Sequence, residues 1–297
     1  MKLGFSIFST DAFNRASVNF FAAKAEELGY ESIWMPEHVA FPTSFQSRYP
    51  YSPDGKYPGD MDLDCPEPLS VLNYAAALTK RLKLGTVIVI LPLHHPLEIG
   101  KQLATLDVLS GGRVIFGIGS GWLKEEFDAL GIDWKTRGSR TDEIIKALRV
   151  IWGENPSTFH GQHFNFGPLK SFPKPVKGNI PIFIGGHSPA NIRRAAHLGD
   201  GLMPASSAEV ALRAWELTKE ECRRIGRDPA KLEFNCSSDK ETWFGGWQKL
   251  PESARRLRDI GVTRITFPST LFGLEWNRDA IARAMEGVAN EVIAKIN

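Results

Sequence analysis

The chain has 297 residues, 42% of them hydrophobic and 24% charged, with a net charge of +2; that is enough material for a large core and the balance of a globular protein. No dense Lys/Arg run is present, which excludes a nucleic-acid footprint or an anionic-membrane anchor, and the apolar run Val87 to Leu93 is far too short to span a bilayer. Cys65, Cys222 and Cys236 are scattered without metal or disulfide spacing, and Met1 to Phe5 enters a strand without a signal-peptide pattern, so the chain predicts a cytoplasmic protein.

Lys2 to Phe8 reads as the first strand, ending at Ser9-Thr10-Asp11. A helix follows from about Asn14, with Val18, Phe21, Ala22, Ala25 and Leu28 on one face, and Gly29 closes it with a left-handed cap. Ile33-Trp34-Met35 is the second strand, stopped by Pro36 and running straight into Glu37 and His38. A strand, a helix and a strand in so few residues form a parallel crossover. Ala40 to Pro66 then loses all periodicity but carries Phe41, Phe45, Tyr49, Tyr51 and Tyr57, the composition of a packed lid.

The alternation resumes with a helix over Pro68–Thr79, a β-branched third strand over Leu82–Leu91, and a helix over Leu97–Leu109 ended by Gly111-Gly112. Arg113–Ile118 is the fourth strand, and Glu126–Trp152 carries one helical pattern. The polar and aromatic stretch between Asn155 and Gly178 suggests a small hairpin outside the main sheet. Ile180–Ile184, Gly201–Met203, Leu232–Cys236 and Arg264–Phe267 supply strands five to eight. Helices over Pro189–Leu198, from Ser207, over Glu252–Ile260 and around Ile281–Val292 separate or follow them, and Gly245-Gly246 sits in a long loop after strand seven. A doubly wound sheet competes, but eight strand–helix units in this length favour one (β/α)8 TIM barrel over residues 1–297, with insertions after strands two, four and seven.

In such a barrel the chemistry lies on the loops after the strands. Glu37 and His38 stand there, and imidazole is the side chain best matched to proton transfer near neutral pH. Gly117-Ile118-Gly119-Ser120-Gly121-Trp122 lacks the third glycine of a dinucleotide fingerprint. It is either a close backbone approach to a planar ligand flanked by Trp122 or a plain tight turn. Gly185-Gly186-His187-Ser188-Pro189 opens a helix with Ser188 as N-cap and Pro189 at the first helical position, either a phosphate site or an ordinary capped helix. His94-His95 are adjacent on an extended segment and point apart, so no metal site is assigned.

Together these segments resemble the bacterial luciferase-like family of TIM-barrel flavin and deazaflavin enzymes, nearest the branch of coenzyme F-420-dependent oxidoreductases. The resemblance is carried by Leu28-Gly29-Tyr30-Glu31-Ser32-Ile33-Trp34, by Ser47–Gly55, by Lys101–Asp107, by Gly119-Ser120-Gly121-Trp122-Leu123-Lys124-Glu125-Glu126-Phe127 and by Gly199-Asp200-Gly201. It implies a cofactor ring across the C-terminal strand ends, with Val87, Ile88 and Val89 in a bulge beneath it and a cis bond at Val87–Ile88. The Gly185-Gly186 turn, with Ser188 behind it, resembles the family's phosphate-side contact, and on the planar-ligand reading Gly119, Gly121 and Trp122 are the candidates for the flank of the ring. His38 would be the acid or base, and Glu37 a ring contact. Two departures bear on specificity. Trp122 replaces an acid used by the family's sugar-phosphate dehydrogenase, and Glu98 replaces an arginine that holds the flavin phosphate in bacterial luciferase. The implied activity is F-420-dependent hydride transfer to or from a small organic substrate, by a homodimer. The alternatives are an FMN-dependent monooxygenase fed by a separate reductase, and a non-catalytic flavin-binding protein.

Overall fold

The computed structural model describes residues 1–7, 13–52, 54–57, 61–62, 64–237, 247–269 and 277–296. Strands β1 (Lys2–Ser6), β2 (Ser32–Met35), β3 (Lys83–Thr86), β4 (Val89–Ile90), β5 (Val114–Gly119), β8 (Ile182–Gly185), β9 (Gly201–Met203), β10 (Glu233–Ser237) and β11 (Arg264–Pro268) make one all-parallel sheet. The sheet closes where β1 pairs with β11, Lys2 opposite Arg264 and Phe5 opposite Phe267. β3 and β4 are two halves of one stave, since β5 pairs with both, so the barrel has eight staves as the alternation predicts. A separate antiparallel hairpin, β6 (Ser157–His160) with β7 (Asn165–Leu169), stands in the Asn155–Gly178 stretch where a hairpin is expected.

Helices α1 (Arg15–Glu27), α2 (Pro68–Leu78), α3 (Pro96–Ser110), α4 (Lys124–Ala129), α5 (Arg137–Gly153), α6 (Pro189–Leu198), α7 (Ala208–Arg224), α8 (Leu250–Asp259) and α9 (Arg278–Val288) accompany the staves. Their starts follow from local chemistry. Asn14 caps α1 by accepting from Ala16 and Ser17, Glu67 caps α2 from Leu69 and Ser70, and Ser188 and Ser207 cap α6 and α7 at the positions the sequence predicts. Two expectations are corrected. The long helical run from Glu126 is two helices, because Gly131 takes the left-handed conformation (φ 69°) and ends the first. The third strand is interrupted at Val87–Ile88, where the peptide bond is cis as the resemblance implies. Gly199 closes α6 with an extended backbone, and glycine is needed there because a Cβ would lie 2.8 Å from Ile184. The loop after strand seven, with Gly245-Gly246, lies outside the described residues.

Two apolar layers hold the barrel. Outward residues such as Phe5, Ile33, Leu84, Phe116, Ile182 and Leu202 pack against the helices in the larger core. Inside, Trp34, Ile115, Phe183 and Met203 form a smaller cluster with Val87 and Ile88 against it. Trp34 sets the dimensions of that interior. A Cβ on Gly85 would fall 2.1 Å from its ring, and one on Gly4 would fall 2.7 Å from its Nε1, so the neighbouring staves must be bare at its level. Below it, the buried Arg264 guanidinium bonds Glu31 at 2.8 and 2.9 Å and Glu233 at 2.9 Å. These pairs seal the N-terminal end of the barrel.

Candidate active site at the C-terminal mouth

Pro36 ends β2, and the two residues after it part company. Glu37 is buried, 6% exposed. It accepts from the Ile90 amide at 2.7 Å and pairs with His94 Nε2 at 3.0 and 3.1 Å. Both of its oxygens are thus engaged by the end of the interrupted stave and the segment after it, so Glu37 acts here as an anchor between strand ends and not as a free ring contact. Burial pushes the His94 imidazole down, but the hydrogen bond and attraction to Glu37 outweigh it and leave the pKa raised. His95 diverges as expected and caps α3, accepting from Leu97 at 3.3 Å.

His38 turns the other way. Its Nδ1 lies 3.0 Å from Glu126 Oε2, and Glu126 Oε1 accepts from the Val39 amide at 2.6 Å and the Ala40 amide at 3.3 Å. Glu126 is 1% exposed. Cys65 lies beside this segment, and burial pushes its thiol up. Around the imidazole stand Phe41 (ring centroids 4.3 Å apart), Trp122 (5.9 Å) and Tyr57 (6.1 Å).

The aromatic loop after strand two is packed, as its composition predicts. Trp122 is its centre, stacked with Tyr57 at 5.7 Å and met edge-on by Tyr49 at 5.2 Å and Phe45 at 5.7 Å. In this arrangement Trp122 supports the lid instead of presenting an open face to a ligand. Burial pushes Tyr57 up to about 12 and raises Tyr49 and Tyr51 as well, so all three phenols keep their protons at neutral pH. Glu125, beside Glu126, pins a second point of the loop: it accepts from Gln46 N at 2.7 Å, Ser47 N at 3.3 Å and Ser47 Oγ at 2.7 Å. Tyr51 crosses toward strand five, its ring 5.9 Å from His187.

The floor is built by the interrupted stave. Val87 and Ile88 are half-buried against the interior cluster, whereas Val89 is fully buried on the helix side and does not reach the mouth. Alternation explains the split, since Val89 pairs with Ile118 in the outward-facing row. The flanks of Ile88 are bare backbone: a Cβ on Gly119 would lie 2.7 Å from its Cδ1, and one on Gly185 would lie 3.0 Å from its Cγ2. Gly121 has φ 79°, and a Cβ there would meet Phe127 at 2.7 Å, so the tight-turn reading accounts for it.

Beside strand five, Gly186 has φ 91° and leads to the first turn of α6, whose positive dipole end faces the mouth. Ser188 serves as the N-cap, accepting from Asn191 at 3.3 Å. The buried Arg194 ties the two glycine loops together, donating to Ser120 Oγ at 3.2 Å and Asn191 Oδ1 at 2.9 Å, with Asp142 as its counter-charge. A planar ring with a phosphate-bearing arm fits this site by its chemistry, because the half-buried Val87 and Ile88 offer an apolar surface and the α6 terminus favours an anion.

The strand ends therefore bring together His38, Val87, Ile88, Gly119, Trp122, Gly185 and Gly186, and spend Glu37 and Val89 elsewhere. Glu126, His94, Arg194 and Cys65 are the residues that sequence reasoning missed.

Residues 6–239 match the model of the luciferase-like monooxygenase family. The chain belongs to that family. Among relatives, it is 34% identical over 279 residues to the uncharacterized protein Rv0940c of Mycobacterium tuberculosis, covering 93% of this chain and 94% of that one. Its fold is similar to that of the monooxygenase RslO1 from Streptomyces bottropensis, with a TM-score of 0.78, 23% identity and 100% of both chains covered. It is likewise similar to an F-420-dependent secondary alcohol dehydrogenase in complex with an F-420–acetone adduct, with a TM-score of 0.77, 18% identity, and 99% and 98% of the two chains covered. Luciferase-like family members are oxidoreductases and monooxygenases, and their relatives here use F-420 or FMN. Among the described residues no helix is long and apolar enough to cross a membrane.

Proposed function

We propose that this luciferase-like protein is an F-420-dependent oxidoreductase that moves a hydride to or from a small organic substrate. The observation that carries the reading is the mouth itself. A half-buried apolar floor at Ile88, seated against the bare backbone of Gly119 and Gly185, shares the strand-end mouth with a half-enclosed imidazole under an aromatic cover. When bound, the deazaflavin ring supplies the carbon that accepts or gives the hydride. The chain does the rest. Val87 and Ile88 support one face of the ring, the first turn of α6 holds its anionic arm, and the lid aromatics exclude water. His38 Nε2 exchanges a proton with the substrate oxygen as the hydride moves. FMN is the competing cofactor, and Glu98, exposed in the first turn of α3, is an acid where luciferase has a phosphate-binding arginine, which favours F-420.

Titrating the pure protein with F-420 and separately with FMN, and following quenching of cofactor fluorescence, tests the choice. The expected result is saturable micromolar binding of F-420 with FMN at least tenfold weaker. Micromolar FMN binding with no response to F-420 would overturn the reading in favour of the monooxygenase.

A further inference from the structure

Glu126 sits in a six-residue helix and touches three donors of one loop, yet it is almost wholly buried. Burying a carboxylate is costly unless its oxygens are satisfied. Here Oε1 is filled by the Val39 and Ala40 amides, which leaves Oε2 for His38. A carboxylate oxygen only accepts, so the hydrogen between Oε2 and Nδ1 must belong to the imidazole. Neutral imidazole carries one N–H. With that hydrogen held on Nδ1, the lone pair stands on Nε2, the atom with no hydrogen-bond partner among the described residues.

We infer that Glu126 is the positioning residue of the site: it holds His38 in the Nδ1–H tautomer so that Nε2 can take the substrate's proton, and it stabilises the imidazolium once the proton has arrived. The inference rests on the proton-transfer role proposed for His38. The balance is simple. In the oxidising direction the substrate O–H bond breaks, its proton forms the Nε2–H bond, and the hydride leaves the same substrate for the cofactor. In the reducing direction Nε2–H is the donor, and the carboxylate beside Nδ1 favours the charged ring that must form first. The same side chain grips Val39 and Ala40, where the lid begins, so the tautomer and the root of the lid depend on one group.

Glu126→Gln isolates the role because it nearly preserves shape. The Val39 and Ala40 amides require the carboxamide oxygen, so the carboxamide NH2 must face His38 Nδ1, which is then obliged to accept. The tautomer reverses and Nε2 carries the hydrogen. Nitrogen NMR of histidine-labelled protein without cofactor reads this directly. The wild type is expected to show a protonated Nδ1 and an unprotonated Nε2, and E126Q the reverse. Diethyl pyrocarbonate, which attacks the unprotonated imidazole nitrogen, is expected to modify His38 at least tenfold more slowly in E126Q, with the other histidines as internal controls. With whichever cofactor the titration selects, turnover over a panel of secondary alcohols and ketones is expected to fall about 100-fold or more in kcat. KM and cofactor Kd should stay within threefold. Glu126→Asp keeps an acceptor, and is expected to retain the Nδ1–H tautomer and recover at least tenfold over E126Q. If E126Q proves unstable, the tautomers of the wild type and E126D carry the test. An Nε2–H tautomer in the wild type, or a reversed tautomer with turnover unchanged, would overturn the inference. The first two readouts need no cofactor, so failure of the F-420 reading is told apart from failure of this one.

Discussion

At the scale of single residues, adjacent Glu37 and His38 are committed to opposite neighbours, one to the segment after strand three and the other to the helix after strand four. The first commitment has a pH signature. His94 is held above its ordinary value by Glu37 despite the opposing effect of burial. A group whose folded pKa is raised adds stability that is fully present below the unfolded value, about 6.5 for imidazole, and loses it as pH rises through the folded value. The gap in melting temperature between wild type and His94→Gln should therefore be widest near pH 6 and shrink toward pH 9. A gap that is constant, or that grows with pH, would mean that the imidazolium contributes nothing. At this scale the sequence located Glu37 and His38 and placed both at a strand end. It did not reveal their partners. His94 was legible as one of two neighbouring histidines that point apart but not as Glu37's cation, and Glu126 was quoted only within a family segment. Six residues of helix are too few to show which of two neighbouring acids turns inward.

At the scale of elements, the loop after strand two behaves as a cover latched by α4. Glu126 fixes it at Val39–Ala40 and Glu125 at Gln46–Ser47, while its aromatics close on Trp122 between and beyond those points. Burial pushes the Glu125 carboxyl up, but the bonds from Ser47 and Gln46 prevail and hold it at about 2. With a lowered folded pKa, the latch is at full strength above the ordinary carboxyl value of about 4.3 and fails only as pH falls toward 2. Glu125→Ala should loosen the cover without unfolding the barrel, at a cost of about 1 kcal/mol in keeping with a half-buried hydrogen-bonding group still in reach of water. Trypsin cleavage at Arg48 and Lys56 should rise several-fold at neutral pH. Unchanged cleavage would show that the aromatic packing alone holds the loop. The aromatic content of the loop was readable from composition, and so was its role as a lid. Its conformation was not, because no period orders those rings and their centre, Trp122, lies some 70 residues away in the chain.

At the scale of the whole molecule, the barrel divides its work between its two ends, as parallel barrels do. The eight staves were legible from the alternation of strands and helices, because each buried strand had to be hydrophobic on both faces. Closure was expected from the number of units, but the register that achieves it was not legible, since the pairing of β1 with β11 joins residues more than 250 positions apart. Nor was the seal beneath it, where Arg264, Glu31 and Glu233 meet from three different staves and loops. Burial pushes the Arg264 guanidinium down, but its two carboxylates outweigh that and raise it; the guanidinium in turn outweighs the effect of burial on Glu31 and lowers it. Arg264→Met keeps much of the volume and removes the charge, leaving two acids facing each other. Loss of one partner from a buried pair costs roughly 3–5 kcal/mol, and because Glu233 remains partly in water the expected loss is about 2–3 kcal/mol. The barrel interior, filled by Trp34, Phe183 and Met203, stands between this seal and the floor at Ile88. Urea unfolding should therefore register the whole loss, while the native variant should bind its cofactor within twofold of wild type. Weakened cofactor binding in the folded variant would show that the interior transmits the disturbance upward, and that the two ends of the barrel are one cooperative unit.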